Sequence, residues 1–405
     1  MAGAVEFVEG GTVTTPRGFL AGATYAGLKT YAEDKLDLGL ILSEAPCVAA
    51  GVFTTNAIKS PSVTVTQEHL AAGQVRGLVV NAGIANACVG DQGYKDAKDM
   101  AAIAGRRLGV RAEEVLVCST GIIGVELPMA LIRAGVLKVE LSAEGGHTLA
   151  RAMMTTDTRP KEAAVTFQVD GRQVHLGGVT KGSGMIHPNM ATMLAFVTTD
   201  VVVERRFLQT TLKEAADASF NMLTVDGDSS TNDTLLVLAN GLAGNRAIGA
   251  GSPGAATFKE ALSQVCVALT RQMARDGEGA SRLLMVEVAG AGNTADARKA
   301  ARTIASSNLV KSAVYGADPN WGRVVAALGR SGATVDENRI DLFINGVCIM
   351  ESGKPIPFHR DAVVALMRGP EVTFRLQLNL GDGQATAWGC DLTEQYVIIN
   401  SAYTT

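Results

Sequence analysis

Residues Lys181-Gly-Ser-Gly-Met-Ile-His-Pro-Asn-Met-Ala-Thr-Met-Leu-Ala-Phe196 join a Gly-rich loop and a Pro-Asn turn to an apolar run that opens at Thr192 and continues to Val203. The run reads as a buried strand. The small Ala191 leaves its own carbonyl unshielded, so a chain that cuts itself is one reading of the stretch. The Thr192 hydroxyl would add to the Ala191 carbonyl, and hydrolysis of the ester would leave Thr192 as a new N-terminus. Its α-amine, with an ordinary pKa of about 7.7–8, could then act as general base for the hydroxyl beside it. The competing reading is an ordinary loop that leads into a strand.

Outward from this stretch, the chain is that of a globular protein with small-molecule chemistry. Its 405 residues are too many for one ordinary core and suggest two or three lobes. Hydrophobic residues make up 47%, charged residues 19%, and the net charge is −4, a balance that argues against nucleic acid, an anionic membrane surface or a polybasic tail. Cys47, Cys88, Cys118, Cys266, Cys348 and Cys390 stand singly with no Cys-x-x-Cys pair, as expected of buried, reduced thiols in a cytosolic protein. The first twenty residues lack the basic start and apolar core of a signal peptide. No apolar stretch approaches the roughly 18 residues of a membrane helix. The expected location is the cytoplasm.

Short β-branched runs at 48–54, 75–80 and 115–118 predict buried strands, with Ala-rich helices at 96–108 and 127–137 between and after them. Residues 163–169 and 173–177 flank Asp170-Gly171, a type I′ hairpin signal, and this hairpin feeds the 181–192 loop. The second half predicts helices at 204–216, 256–275 and 295–306, strands at 235–239 and 283–288, a surface loop at 241–254, and a strand-rich tail over 372–380 and 385–400. No repeat or long linker divides the chain, so both halves are expected to share one α/β body.

An acyl-transfer site needs somewhere to place negative charge on the carbonyl oxygen. Thr120-Gly121, at the end of the 115–118 strand, can supply a hydroxyl and a backbone N–H as an oxyanion hole; it also reads as a helix cap with a turn glycine. Glu278, between two glycines, can meet a substrate ammonium, and Lys181 can hold a carboxylate as a point charge; both also read as solvated loop charges. Thr155 and Thr156 offer hydroxyls ahead of a proline, or mark a helix end. His187 before Pro188 reads as a turn residue. The histidines lie apart from one another and from the cysteines, so no metal site is expected. Gly290-Ala-Gly-Asn-Thr-Ala295 fits a dinucleotide-binding turn, but the acid expected about 20 residues on is missing.

The 181–200 stretch, together with Asp226-Gly-Asp-Ser-Ser-Thr-Asn-Asp233 and Val310-Lys-Ser-Ala-Val-Tyr-Gly-Ala-Asp-Pro-Asn-Trp-Gly-Arg323, resembles the ornithine acetyltransferase (glutamate N-acetyltransferase) family of arginine biosynthesis. The resemblance begins near Val13-Thr-Thr-Pro-Arg-Gly-Phe19, passes through Val80-Asn-Ala-Gly-Ile-Ala-Asn-Ala-Cys88 and ends at Asp391-Leu-Thr-Glu-Gln-Tyr-Val-Ile-Ile-Asn400. It implies an α/β layered sandwich with helices packed between β-sheets, self-processed between Ala191 and Thr192 into an α chain (1–191) and a β chain (192–405) that form one body. It implies acetyl transfer from N-acetylornithine to glutamate through acetylated Thr192, with Thr120 and Gly121 as oxyanion hole. The resemblance also implies that Thr155 or Thr156, Lys181, Thr192, Glu278, Asn400 and Thr405 surround the substrate. No cofactor is implied, acetyl-CoA is a further candidate donor, and an α2β2 heterotetramer is the implied assembly. Ala82 and Ile84 depart from the family form and put local packing there in question. A self-processing aminopeptidase or amidase, an NAD-dependent oxidoreductase resting on 290–295, and a non-enzymatic binding protein that needs no cleavage are the alternatives.

Overall fold

Strand Leu194–Thr199 is buried along its whole length. It pairs antiparallel with Arg172–Lys181 on one edge and parallel with Thr234–Ala239 on the other. Its side chains alternate between two cores, as the period of two in a strand requires. Ala195 and Val197 join Phe258, Leu262, Val265 and Leu269 of helix Ala255–Arg275. Leu194 and Phe196 join Leu149 and Met153 of helix Gly146–Met153 on the opposite face. The unbroken apolar run of the sequence therefore reflects a strand covered on both sides.

The computed structural model describes residues 4–29, 35–187 and 193–402. Ala191, Thr192 and Thr405 lie outside the described residues. The first sheet has the order Glu6–Phe7, Lys161–Val169, Arg172–Lys181, Leu194–Thr199, Thr234–Ala239, Leu38–Phe53, Val75–Ile84, Val115–Ile122, with Phe19–Thr24 branching from Leu38–Phe53. Strands from both sides of position 191 thus share one sheet. The second sheet runs Lys354–Pro355, Val347–Glu351, Asp341–Ile344, Glu371–Gln377, Leu283–Ala291, Gly383–Cys390. Its strand Glu371–Gln377 buries Val372, Phe374 and Leu376 and leaves Arg375 exposed, the alternation of a sheet with one open face.

Helix Ala255–Arg275 packs on Lys161–Val169 and Arg172–Lys181 of the first sheet and on Leu283–Ala291 and Gly383–Cys390 of the second, so it lies between the two. The layered sandwich with helices between sheets is the fold. Gly178 permits this approach: a Cβ there would sit 3.0 Å from Leu269 and 3.1 Å from Val265. Helices Pro61–Ala72, Gly90–Leu108 and Met129–Lys138 cover the strands at the other end of the first sheet. The hairpin turns as its sequence predicts, with φ of 51° at Asp170 and 74° at Gly171.

Two expectations are corrected. The 385–400 segment is not strand throughout: strand Gly383–Cys390 is followed by helix Glu394–Ala402. The Val397-Ile-Ile run favours a strand on propensity, but tertiary context overrides so weak a preference. Thr393 Oγ1 ties the chain to the Gly279 carbonyl at 2.7 Å, and Glu394 suits a helix N-terminus. Nor are all thiols buried. Cys88 is exposed in the turn before helix Gly90–Leu108.

The central strand should dominate stability. Phe196→Ala removes a fully buried ring and should cost about 3–5 kcal/mol. Urea denaturation should show this as a lower midpoint with an unchanged slope.

Candidate active site

Several strand ends of the first sheet open onto a cavity of about 640 Å³. Thr120 and Gly121 reach it as strand Val115–Ile122 finishes, Lys181 as strand Arg172–Lys181 finishes, and Met193 and Leu194 as strand Leu194–Thr199 starts. Thr155 and Thr156 come from the turn after helix Gly146–Met153, Glu278 from the loop after helix Ala255–Arg275, and Asn400 from the last helix. Every described residue that the sequence singled out as catalytic or substrate-binding therefore lines the same cavity.

Glycine is required where main chains stack behind Thr120. Gly121 has φ 129°, and a Cβ on it would lie 2.1 Å from the Gly83 carbonyl carbon. Gly83, at φ 118°, is pressed in turn against the Leu28 carbonyl oxygen, 2.6 Å from where its Cβ would be. The parallel pairing of Val75–Ile84 with Val115–Ile122 is irregular at this point, the register shifting at Gly83 and Ile84. Ala82 is fully buried there and Asn81 Nδ2 donates to the Ile84 carbonyl at 2.9 Å, so the departures at 82 and 84 fit the packing.

Lys181 Nζ donates to Thr120 Oγ1 at 3.2 Å. Burial pushes the Lys181 pKa down, and the neighbouring Asp157 is the strongest opposing influence. Thr156 Oγ1 and Ser183 Oγ are 2.8 Å apart, whereas the Thr155 hydroxyl has no partner among the described residues. Glu278 accepts from Asn400 Nδ2 at 2.8 Å, and its own N–H donates to the Ser183 carbonyl at 2.9 Å. Its carboxylate lies over Gly184, where a Cβ would come within 2.3 Å of it. Gly184 is thus the residue that lets the acid cross the loop.

Sequence reading passed over several cavity residues. Asp226 Oδ2 accepts from the Met185 N–H at 2.6 Å and its Oδ1 from that of Ile186 at 2.9 Å, pinning the loop ahead of the 188–192 segment. Asn232 Nδ2 bridges the carbonyls of Ala85 (2.5 Å) and Ser119 (2.8 Å). Both belong to the 226–233 motif, whose density of Asp, Ser and Asn was the available signal. Lys29 carried no such signal. Its Nζ donates to the carbonyls of Leu36 (2.6 Å) and Ala152 (2.8 Å), and burial lowers its pKa to about 8.

The wall thus carries cations at Lys29, Lys35 and Lys181 and anions at Asp226, Asp228, Asp233 and Glu278. That mixture suits a small zwitterion. His187 stands outside the lining, its Nδ1 3.0 Å from Thr224 Oγ1, and burial lowers its pKa to about 4. Gly290 has a packing role, since a Cβ there would lie 2.3 Å from Gln377 Nε2 and 2.9 Å from the Asn379 nitrogen. Among the described residues no cluster of three His, Cys, Asp or Glu could hold a metal ion, and no helix is long and apolar enough to cross a membrane.

The model of the ArgJ family matches residues 20–405. The chain belongs to the ArgJ family. It is similar to the arginine biosynthesis bifunctional protein ArgJ of Symbiobacterium thermophilum, 51% identical over 99% of this chain and 100% of that one, and to that of Dehalococcoides mccartyi, 48% identical over the full length of both. Among solved structures, the arginine biosynthesis bifunctional protein of Bacillus halodurans is 43% identical with a TM-score of 0.51, over 51% of this chain and 98% of the solved one. Family membership sets aside the NAD-dependent reading of 290–295.

The stacked glycines make a direct test. Gly121→Ala should lower folding stability by about 1–3 kcal/mol, the scale of a strained backbone position, measured by denaturant titration with the neighbouring Ile122→Val as control.

Proposed function

We propose that this cavity transfers an acetyl group by way of a threonine that the chain exposes by cutting itself. The enzyme is an acetyltransferase of arginine biosynthesis that works between acetylornithine and glutamate, and processing into two chains goes with its family. In our reading the cut falls between Ala191 and Thr192, giving chains 1–191 and 192–405, and Thr192 is the nucleophile. The observation that carries this is where the chain enters and leaves the cavity. Gly184 and Met185 line it on one side of the 188–192 segment and Met193 on the other. Thr192 is the residue that precedes Met193 in the sequence. The Bacillus halodurans chain, matched almost entirely by about half of this one, has the size of a single product of such a cut.

N-acetylornithine binds with its carboxylate toward Lys181 and Thr155 and its side-chain ammonium toward Glu278, which Asn400 holds in place; Thr405 completes the tail's contribution. Thr155 is the threonine of its pair that meets substrate, because its hydroxyl is the uncommitted one. Thr192 Oγ attacks the acetyl carbonyl while its α-amine takes the proton, and Thr120 with the Gly121 N–H stabilises the oxyanion. The tetrahedral adduct collapses with the proton passing to the departing ornithine nitrogen. The glutamate α-amine then attacks acetyl-Thr192, regenerating the free hydroxyl and giving N-acetylglutamate. Lys29 and Lys35 give the same cavity cations for the second carboxylate of glutamate. Two such α/β pairs make the α2β2 assembly, and acetyl-CoA is a second donor to Thr192.

Intact mass spectrometry should find two chains divided after Ala191, and Thr192→Ala should remain one. Brief exposure to N-acetylornithine, or separately to acetyl-CoA, should add one acetyl group to the peptide that begins at Thr192. An uncut chain with full activity would overturn the reading.

Steady-state rates supply a second check. Reciprocal plots against glutamate at several acetylornithine levels should give parallel lines, and Thr120→Ala should lower kcat by about 100- to 1000-fold in a folded protein. Intersecting lines with no acetylated peptide would favour direct transfer.

A further inference from the structure

Behind the cavity wall lies a buried ion cluster that takes no part in the steps above. Lys161 is fully buried, and its ammonium donates to Asp157 Oδ1 at 2.5 Å, to Asp276 Oδ2 at 2.5 Å and to the Arg159 carbonyl at 3.4 Å. All three of its hydrogens are committed, so it does not serve the cavity. The Asp157 side chain has no solvent exposure either. Its Oδ1 also accepts from the Gly182 N–H at 2.7 Å and its Oδ2 from the Thr155 N–H at 3.0 Å. These two amides belong to separate parts of the wall, one beside Lys181 and one beside the substrate-facing threonines.

We propose that Asp157 is a positioning residue for acetyl transfer: by binding Gly182 and Thr155 and presenting its charge to Lys181, it keeps a protonated Lys181 against Thr120, and this contact aims the Thr120 hydroxyl hydrogen at the reacting oxygen. The inference rests on the acetyl-transfer reading of the site.

Donor and acceptor roles carry it. An ammonium has hydrogens to give and no lone pair. At 3.2 Å, a charged Lys181 makes Thr120 Oγ1 the acceptor, and the hydroxyl hydrogen points elsewhere. Thr120 lines the cavity, so that hydrogen is available to an oxyanion there. A neutral Lys181 would instead offer a lone pair, and the hydroxyl could turn toward it and away from the substrate. The charge of Lys181 thus decides whether Thr120 serves as a donor.

The groups that face Lys181 are Asp157 and Lys161 behind the wall, Glu278 and Asp233 around the cavity, and Lys29. Burial pulls the lysine toward its neutral form, and Asp157 is the leading influence against it. Burial also pushes the Asp157 carboxyl up, but Lys161 and Lys181 outweigh it and hold the pKa at about 2, so Asp157 stays ionised across the working range. Activity should accordingly fall on the alkaline side as Lys181 loses its proton. Removing the Asp157 charge disfavours the ammonium and moves that fall to lower pH.

The test is the pH profile of kcat/KM for N-acetylornithine, which reports groups of the free enzyme, in wild type and Asp157→Asn, with acetylation of the Thr192 peptide followed in the same samples. The alkaline limb of Asp157→Asn should move down by about one pH unit or more, the scale for losing an opposite charge at close range. The acid limb, set by the Thr192 α-amine, should stay in place. A folded Asp157→Asn enzyme whose alkaline limb coincides with that of the wild type, at whatever rate, overturns the proposal. Where Asp157→Asn does not fold, the double variant Asp157→Asn/Lys161→Gln removes the buried ammonium as well and leaves Asp276 with Arg159, 3.7 Å away, and the Thr158 N–H. Its limb should move the same way by less, because the repulsion from Lys161 is lost too, and an unmoved limb again overturns the proposal. Acetylated wild-type peptide with an unmoved limb sinks this proposal alone; a wild type that never becomes acetylated sinks the acetyl-transfer reading with it.

Discussion

The arrangement depends on a strand that has a partner on each edge and a core on each face. Leu194–Thr199 is held by backbone hydrogen bonds from Arg172–Lys181 and Thr234–Ala239 and by apolar contacts above and below. Such a strand keeps its place whether or not it is covalently joined to what precedes it. Its first residue, Leu194, and Met193 before it are thereby fixed beside the cavity. The same pairing joins segments from both sides of position 191 into one continuous sheet.

The buried charges are the second constraint. Lys161, Asp157 and Asp276 are removed from water. Leaving any of them unpaired would cost several kcal/mol. The Thr158 hydroxyl and N–H both donate to Asp276, which extends the cluster into the turn that carries Thr155 and Thr156. An apolar cluster of similar volume could fill this space, but it would not present a negative charge to Lys181 or acceptors to the Gly182 and Thr155 amides. The cluster thus couples the geometry of the turn to the electrostatics of the wall.

The sequence was most legible where one residue type has one physical use. The double-sided strand, the Asp170-Gly171 turn and the long helix 256–275 follow from periodicity and turn chemistry alone. Thr120, Lys181 and Glu278 stood out as polar groups beside glycines, but each had a plain cap or loop reading too, and only the family resemblance set them around one substrate. Lys29 and Asp226 were not legible in this way. Their importance comes from main-chain groups far away in sequence, the Ala152 carbonyl for one and the Met185 and Ile186 amides for the other. The last helix failed for a related reason, because its Val and Ile residues are largely exposed and the local pattern spoke for a strand.

Asn400 reaches the cavity from that last helix and holds Glu278 from there. A wall built from so late a part of the chain has a consequence for biosynthesis. A ribosome makes the protein from its N-terminus, so the strands that frame the cavity can pair while Asn400 is still inside the exit tunnel. The pocket stays open on one side until translation has passed residue 400 and the helix has docked. The wall that Asn400 supplies is thus made later than the strand ends it faces.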